Sequence, residues 1–330
     1  MIAAAEIILF IKQASLALTG AAALWGLYFI YKANKSTGEK KHVFKEIAHK
    51  MTEPLSISLF VFAISWFLID FRTSYSVLAH EGITLDATTE QLIAAVHVTE
   101  PFVMALFAVF IIGLFYRQTH KHTYDNKLHY FYGAVLTLAT IIISLPAWTG
   151  ALDADKMFFI WHNMHSILTL GTVLVLDFVM LVAKYSKKYQ THLFPVLPAF
   201  SKVIWLGLAL DFLSVAFVFE RAIQIDAQFM FMQTVVAIII INGIILSGPI
   251  TQKLIESVKN KKEMPKTWNN IATISGCISI ASWTTITFTD FLKGIDTVSY
   301  GSLILTYIGF IFITYIVYET LEHYKVGHNW

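Results

Sequence analysis

The chain has 330 residues, of which 56% are hydrophobic and only 14% charged, with 24 basic against 22 acidic side chains. A soluble domain of this length would carry far more charge over its surface, and a mean hydropathy of +0.63 points instead to a bilayer. One cysteine, Cys277, excludes a disulfide framework or a cysteine-built metal site within one chain.

About 20 apolar residues cross a ~30 Å hydrocarbon core at 1.5 Å per residue. Nine such blocks lie near 7–31, 54–71, 91–116, 129–148, 157–183, 201–221, 228–249, 269–289 and 299–319. Each is expected to be a helix, because a strand barrel alternates in segments of about ten residues. The fold class is therefore all-α: a polytopic integral membrane bundle of nine transmembrane helices, forming one transmembrane domain over 1–330. The lysines set its orientation. Lys32 to Lys50, Arg117 to Lys127, Lys184 to Lys202 and Lys253 to Lys266 fall in one alternate set of loops. The other set holds only Arg72, Lys156, Arg221 and Lys293. Positive-inside bias then puts the N-terminus outside and the C-terminus in the cytoplasm of a multi-pass inner (plasma) membrane protein. The basic runs are topology signals. No nucleic-acid module accompanies them, so the expected partners are the lipid bilayer and membrane subunits or further copies of the chain.

Span one, with Ala22 and Gly26 four apart, allows another helix to come close. Trp25, Tyr28 and Tyr31 are expected at the cytoplasmic interface as an aromatic belt. Lys12 is expected to snorkel near the outer end rather than pair with Glu6. No basic stretch precedes this first apolar run, so it is not read as a cleaved signal peptide. Residues 32–50 read as a polar cytoplasmic loop, and Glu53-Pro54 opens span two in the turn where proline is tolerated. Thr88-Thr89-Glu90-Gln91 then resembles a capped helix start.

Span three carries His97 and Glu100 on one helical face, with Pro101 freeing the His97 carbonyl. Glu100 falls about 14 Å deep, near the midplane, where an ionisable group is a functional candidate by default. His120 and His122 lie in a charged loop and read as solvated. Span five, entering from outside, places His162 and His165 about 8 and 12 Å down, against about 9 Å for His97. Asp177 lies farther toward the cytoplasm on the same span, and Asp211 sits near the middle of span six. Ser275, Ser279 and Ser282 form a polar stripe on span eight, which either bonds to neighbouring helices or lines a cavity. Ala63-Ile64-Ser65-Trp66 echoes Ile280-Ala281-Ser282-Trp283, a parallel likeness between spans one and two and spans seven and eight.

Residues 157–290 resemble bacterial polytopic membrane proteins of the copper-resistance D type. The resemblance rests on His165, the run Lys202-Val203-Ile204-Trp205-Leu206-Gly207, Asn242-Gly243, and Gly276 through Trp283. It implies a bacterial inner membrane and metal or haem handling, and no particular reaction.

Three chemistries suit the intramembrane polar groups, and the expected function is the first two: a redox or metal-handling protein with a His/Glu site in the outer half of the bilayer. Imidazoles on two helices at similar depth can ligate haem b; His97 and His165 are the favoured axial pair, since Trp161 and Asn163 crowd His162. His97, Glu100, His162 and His165 together offer a transition metal three nitrogens and a carboxylate. Glu100, Asp177 and Asp211 can instead relay protons in a coupled transporter, with the histidines beside them. A non-catalytic membrane subunit, in which these groups only join helices, is the remaining reading. No HExxH, GxSxG, P-loop or dinucleotide fingerprint occurs, so hydrolase chemistry and a nucleotide cofactor have no support.

Overall fold

The structure is a computed structural model, which describes residues 2–78, 100–113, 124–144, 164–184, 186–218, 226–289 and 297–327. Among the described residues every regular element is helical. Eight helices are long and apolar enough to cross a membrane, and a shorter apolar helix, Glu100–Gly113, falls within the expected third block. The chain forms two compact units, one of Ile11–His192 with Lys202–Arg221, the other of Met1–Phe10, Leu193–Ser201 and Ala222–Trp330.

In the larger unit, α1 (Ile2–Asn34) supplies the central packing surface. Small side chains make it so: Ala17, Ala21, Ala22 and Ala23 are all buried. Gly26 takes the ring of Tyr132 from α5 (Tyr124–Ser144), against which a Cβ would stand only 2.6 Å away. Lipid tails are as apolar as leucine, so such close fits and interhelical hydrogen bonds must hold membrane helices together. One such bond joins Thr19 Oγ1 to Ser58 Oγ of α3 (Thr52–Leu78) at 2.8 Å.

Three expectations change here. Trp25 is no interfacial anchor: it is 2% exposed, and its indole N–H donates to Thr172 Oγ1 at 3.2 Å. Ala21, Trp25 and Phe29 recur every four residues, which puts the indole on the inward stripe. Residues 32–50 are not a loop throughout, because Gly38–Lys50 forms α2. Val43, Phe44, Ile47 and Ala48 give that helix a buried stripe despite its lysines. Lys12 stacks its ammonium 4.5 Å from the Trp66 ring centroid, a cation–π contact within the unit. The Glu6 side chain, and Thr88 to Gln91, lie outside the described residues.

The smaller unit packs α9 (Ala227–Ile245), α10 (Thr251–Lys259), α11 (Lys266–Thr289) and α12 (Tyr300–Gly327). Some of its polar contacts run between helices. Asn242 Nδ2 donates to the Ser275 carbonyl at 2.8 Å, and Ser282 Oγ meets the Tyr307 hydroxyl at 2.6 Å. Of the serine stripe, Ser282 thus joins a neighbouring helix through its hydroxyl, while Ser275 does so only through its backbone carbonyl. Replacing buried Asn242 by alanine should cost about 1 kcal/mol, read as a lower unfolding midpoint in detergent. In the AISW/IASW echo, Ser65 and Ser282 both bond back to the carbonyl four residues earlier.

The outward faces are apolar. Ile57, Phe60, Ile64 and Phe67 are exposed on α3, as are Leu305, Ile308, Phe312 and Ile316 on α12. Water would penalise such continuous apolar faces; a bilayer requires them. The chain is a multi-pass membrane protein.

Candidate functional site

Two of the expected polar groups meet. His165 stands in the first described turn of α6 (residues 164–184), and Asp211 lies on α8 (Leu197–Val218), which follows the short α7 (Lys187–Leu193); both residues belong to the larger unit. His165 Nδ1 approaches Asp211 Oδ1 to 3.6 Å, with side-chain exposures of 13% and 23%. That is ion-pair distance rather than hydrogen-bond length. The pair joins two candidate spans, Met164–Ala183 and Lys188–Leu213.

The local architecture explains why they meet. Immediately after His165 the helix widens into one π-turn, Ile167–Gly171. Thr172 stabilises the widened turn by donating its hydroxyl to the Ile167 carbonyl five residues back, at 3.2 Å. Trp25 donates to the same hydroxyl, so α1 fastens the irregularity in place. Single π-turns inside helices are rare and frequent at functional sites. Thr169 Oγ1 donates to the His165 carbonyl at 2.8 Å, taking up a backbone acceptor at the turn. On the facing helix, Gly207 precedes Asp211 by one turn and so shares its face. A Cβ on Gly207 would stand 2.6 Å from Thr169 Cγ2 and 2.9 Å from Leu168 Cβ. Its bare backbone lets α8 settle onto the π-turn, and one turn later the carboxylate reaches the imidazole.

A comparable turn occurs at Leu246–Ile250, where Thr251 Oγ1 donates to the Leu246 carbonyl at 2.7 Å. Pro249 lies inside that turn and cannot donate a backbone bond, which accounts for the widening. No proline occupies the turn after His165, where the hydroxyl pair and the close fit against α1 take that part.

The other expected site residues do not join the pair. Asp177 lies about 18 Å farther along the same helix, and its side chain is exposed. Glu100 is exposed at the first described turn of α4 (Glu100–Gly113). His97 and His162, like His120 and His122, lie outside the described residues. Among the described residues, no three His, Cys, Asp or Glu side chains come together to hold a metal.

Sequence reasoning singled out both His165 and Asp211 but gave them separate roles. The signal for the pairing was present, with Gly207 exactly one turn before Asp211 in Gly-Leu-Ala-Leu-Asp. The π-turn left no such mark, since Ile-Leu-Thr-Leu-Gly suits an ordinary helix. No protein-family model, curated protein or solved structure matches this chain. The functional reading therefore rests on the residues themselves.

Proposed function

We propose that this chain is a proton-coupled membrane transporter whose proton path includes the His165–Asp211 pair. In this reading nine helices span a bacterial inner membrane, with the N-terminus outside and the C-terminus in the cytoplasm. One observation carries it: an imidazole and a carboxylate from two candidate spans stand 3.6 Å apart. An isolated charge is costly there, and ionisable groups inside a membrane mark proton and ion pathways. Paired, the two groups hold one proton either as neutral imidazole with carboxylic acid or as imidazolium with carboxylate. The proton moves within the pair without changing its net charge, and a second proton arriving or leaving changes it by one. Such a couple can load on one side and unload on the other when its access alternates.

The test is proton movement into vesicles holding the purified protein and an internal pH dye, with a membrane potential imposed. Asp211→Asn and His165→Gln are each expected to slow acidification about a hundredfold relative to the native chain. Rates that match in all three proteins and in empty vesicles would remove the pair from any proton path.

A second reading keeps a cofactor. Metal- or haem-ligating histidines commonly turn one ring nitrogen to a carboxylate, which orients the other toward the metal. Asp211 against His165 Nδ1 fits that pattern. His165 would then be a ligand, with His97 or His162 completing haem b or His97, Glu100 and His162 a metal set. The group would supply electron transfer. A visible spectrum, oxidised and then dithionite-reduced, with metal analysis on the same sample, separates this reading from transport. A Soret band lost in His165→Ala would favour it; an unchanged protein in every assay would favour a non-catalytic subunit.

A further inference from the structure

Two further ionisable side chains lie within the candidate spans that carry His165 and Asp211: Asp177 on α6 and Lys202 on α8. Both belong to the larger unit, and both are exposed. Among the described residues, neither has a hydrogen-bond or ion-pair partner. Gly207 lies against Leu168 and Thr169 while Asp211 faces His165, so the two helices run antiparallel. Lys202 precedes Asp211 by nine residues and lies about 14 Å from the pair along α8. Asp177 follows His165 and lies about 18 Å from it along α6. Carboxylate and ammonium therefore stand on the same side of the pair, within about 4 Å of one level.

Their own chain keeps them apart. Gly207 and Asp211 mark the side of α8 that meets α6, and Lys202, five residues before Gly207, lies about 140° round the helix from it. Lys202 shares that outer face with Leu206, Ala209 and Leu213, at steps of four, three and four, and all are exposed. On α6, Asp177 shares an outer face with Leu181 one turn on, also exposed. Lipid covers the leucines and the alanine without cost. It offers nothing to a lone carboxylate or ammonium, and intramembrane charges are kept where they pair or reach water.

We propose that this surface joins two copies of the chain, with Asp177 of each copy paired to Lys202 of the other. A surface with charge of one sign would call for a different protein carrying the opposite sign. This one carries both signs at nearly one depth, and so it is complementary to itself. A two-fold axis along the membrane normal leaves every residue at its own depth, and residue i meets j while j meets i. Asp177 then meets the partner's Lys202 and Lys202 meets the partner's Asp177, two ion pairs from one operation. The flexible four-carbon stem of lysine spans the small offset in level. Leu206 and Leu213 fill the contact, and Ala209 between them lets two helices come close. The His165–Asp211 pair takes no part in it.

The test measures self-association of the full chain, labelled with donor and acceptor dyes and diluted in phosphatidylcholine vesicles. Energy transfer that falls on dilution gives the dissociation constant of the dimer. Asp177→Lys and Lys202→Asp each set like charges against one another at both contacts, and each should weaken association at least about tenfold. Combining the two exchanges the signs, and association restored to near the native value supports the proposal. Asp177→Asn and Lys202→Gln each leave one charge without its counter-charge and should also lose about tenfold, which keeps the test open where a reversed charge impairs insertion. A native chain that stays monomeric at every dilution overturns the proposal and leaves lipid or another protein to cover this face. Variants that associate as tightly as the native chain overturn it too. So do losses that the combined reversal fails to restore, since the charges would then serve their own chain.

Discussion

Gly171→Ala is expected to destabilise the protein by about 3 kcal/mol, a large fraction of the stability of an ordinary domain. A Cβ at this position would lie 2.3 Å from the Ala17 carbonyl oxygen, 2.8 Å from its carbon and 2.8 Å from Ala21 Cβ. Two of those atoms are backbone, and the third is a methyl with no torsion that could move it aside. No rotamer change relieves the clash, so α1 and α6 must separate. Separation would also lengthen the bond from Trp25 to Thr172, which holds the π-turn. Gly133→Ala is the matched control, since nothing lies within 4 Å of its added carbon. It should be neutral or gain up to about 1 kcal/mol from better helix propensity. Unfolding midpoints of the two variants in one detergent check the pair of expectations. A Gly171→Ala protein as stable as Gly133→Ala would mean that α1 and α6 do not pack this closely.

That contact also shows what the sequence could and could not reveal. Membrane helices were legible because apolar blocks of sufficient length have few other uses in a chain with so little charge. The polar residues inside them stood out for the same reason, so His165 and Asp211 were both named in advance. Their juxtaposition was not legible, because it depends on which helices neighbour each other and how they are rotated. Periodicity alone would have revealed α2: Val43, Phe44, Ile47 and Ala48 carry a helical stripe, masked by four lysines read only as topology. Trp25 shows the converse difficulty. Its distance from the end of the span suits an aromatic belt, and only the partner Thr172 on another helix makes it a core residue.

Gly207→Ala is expected to reduce proton movement nearly as far as Asp211→Asn, although it leaves both titratable groups in place. The added carbon would meet Thr169 Cγ2 at 2.6 Å, Leu168 Cβ at 2.9 Å and the Leu168 carbonyl carbon at 3.3 Å. Thr169 cannot swing its methyl away cheaply. Its χ1 is stiff because it is β-branched, and its hydroxyl already donates to the His165 carbonyl. The relief available is for α8 to withdraw from the π-turn. A withdrawal of about 1 Å is enough to matter, because the pair starts at 3.6 Å and direct ion pairing fades beyond about 4 Å. Proton exchange then needs a bridging water or fails, and a loss of about tenfold to a hundredfold follows. The decisive comparison is the double variant. If Gly207 acts only by bringing Asp211 to His165, Gly207→Ala should add almost nothing in an Asp211→Asn background. Additive losses would mean that the glycine serves the helix packing alone, and that close approach of carboxylate to imidazole is no part of the mechanism.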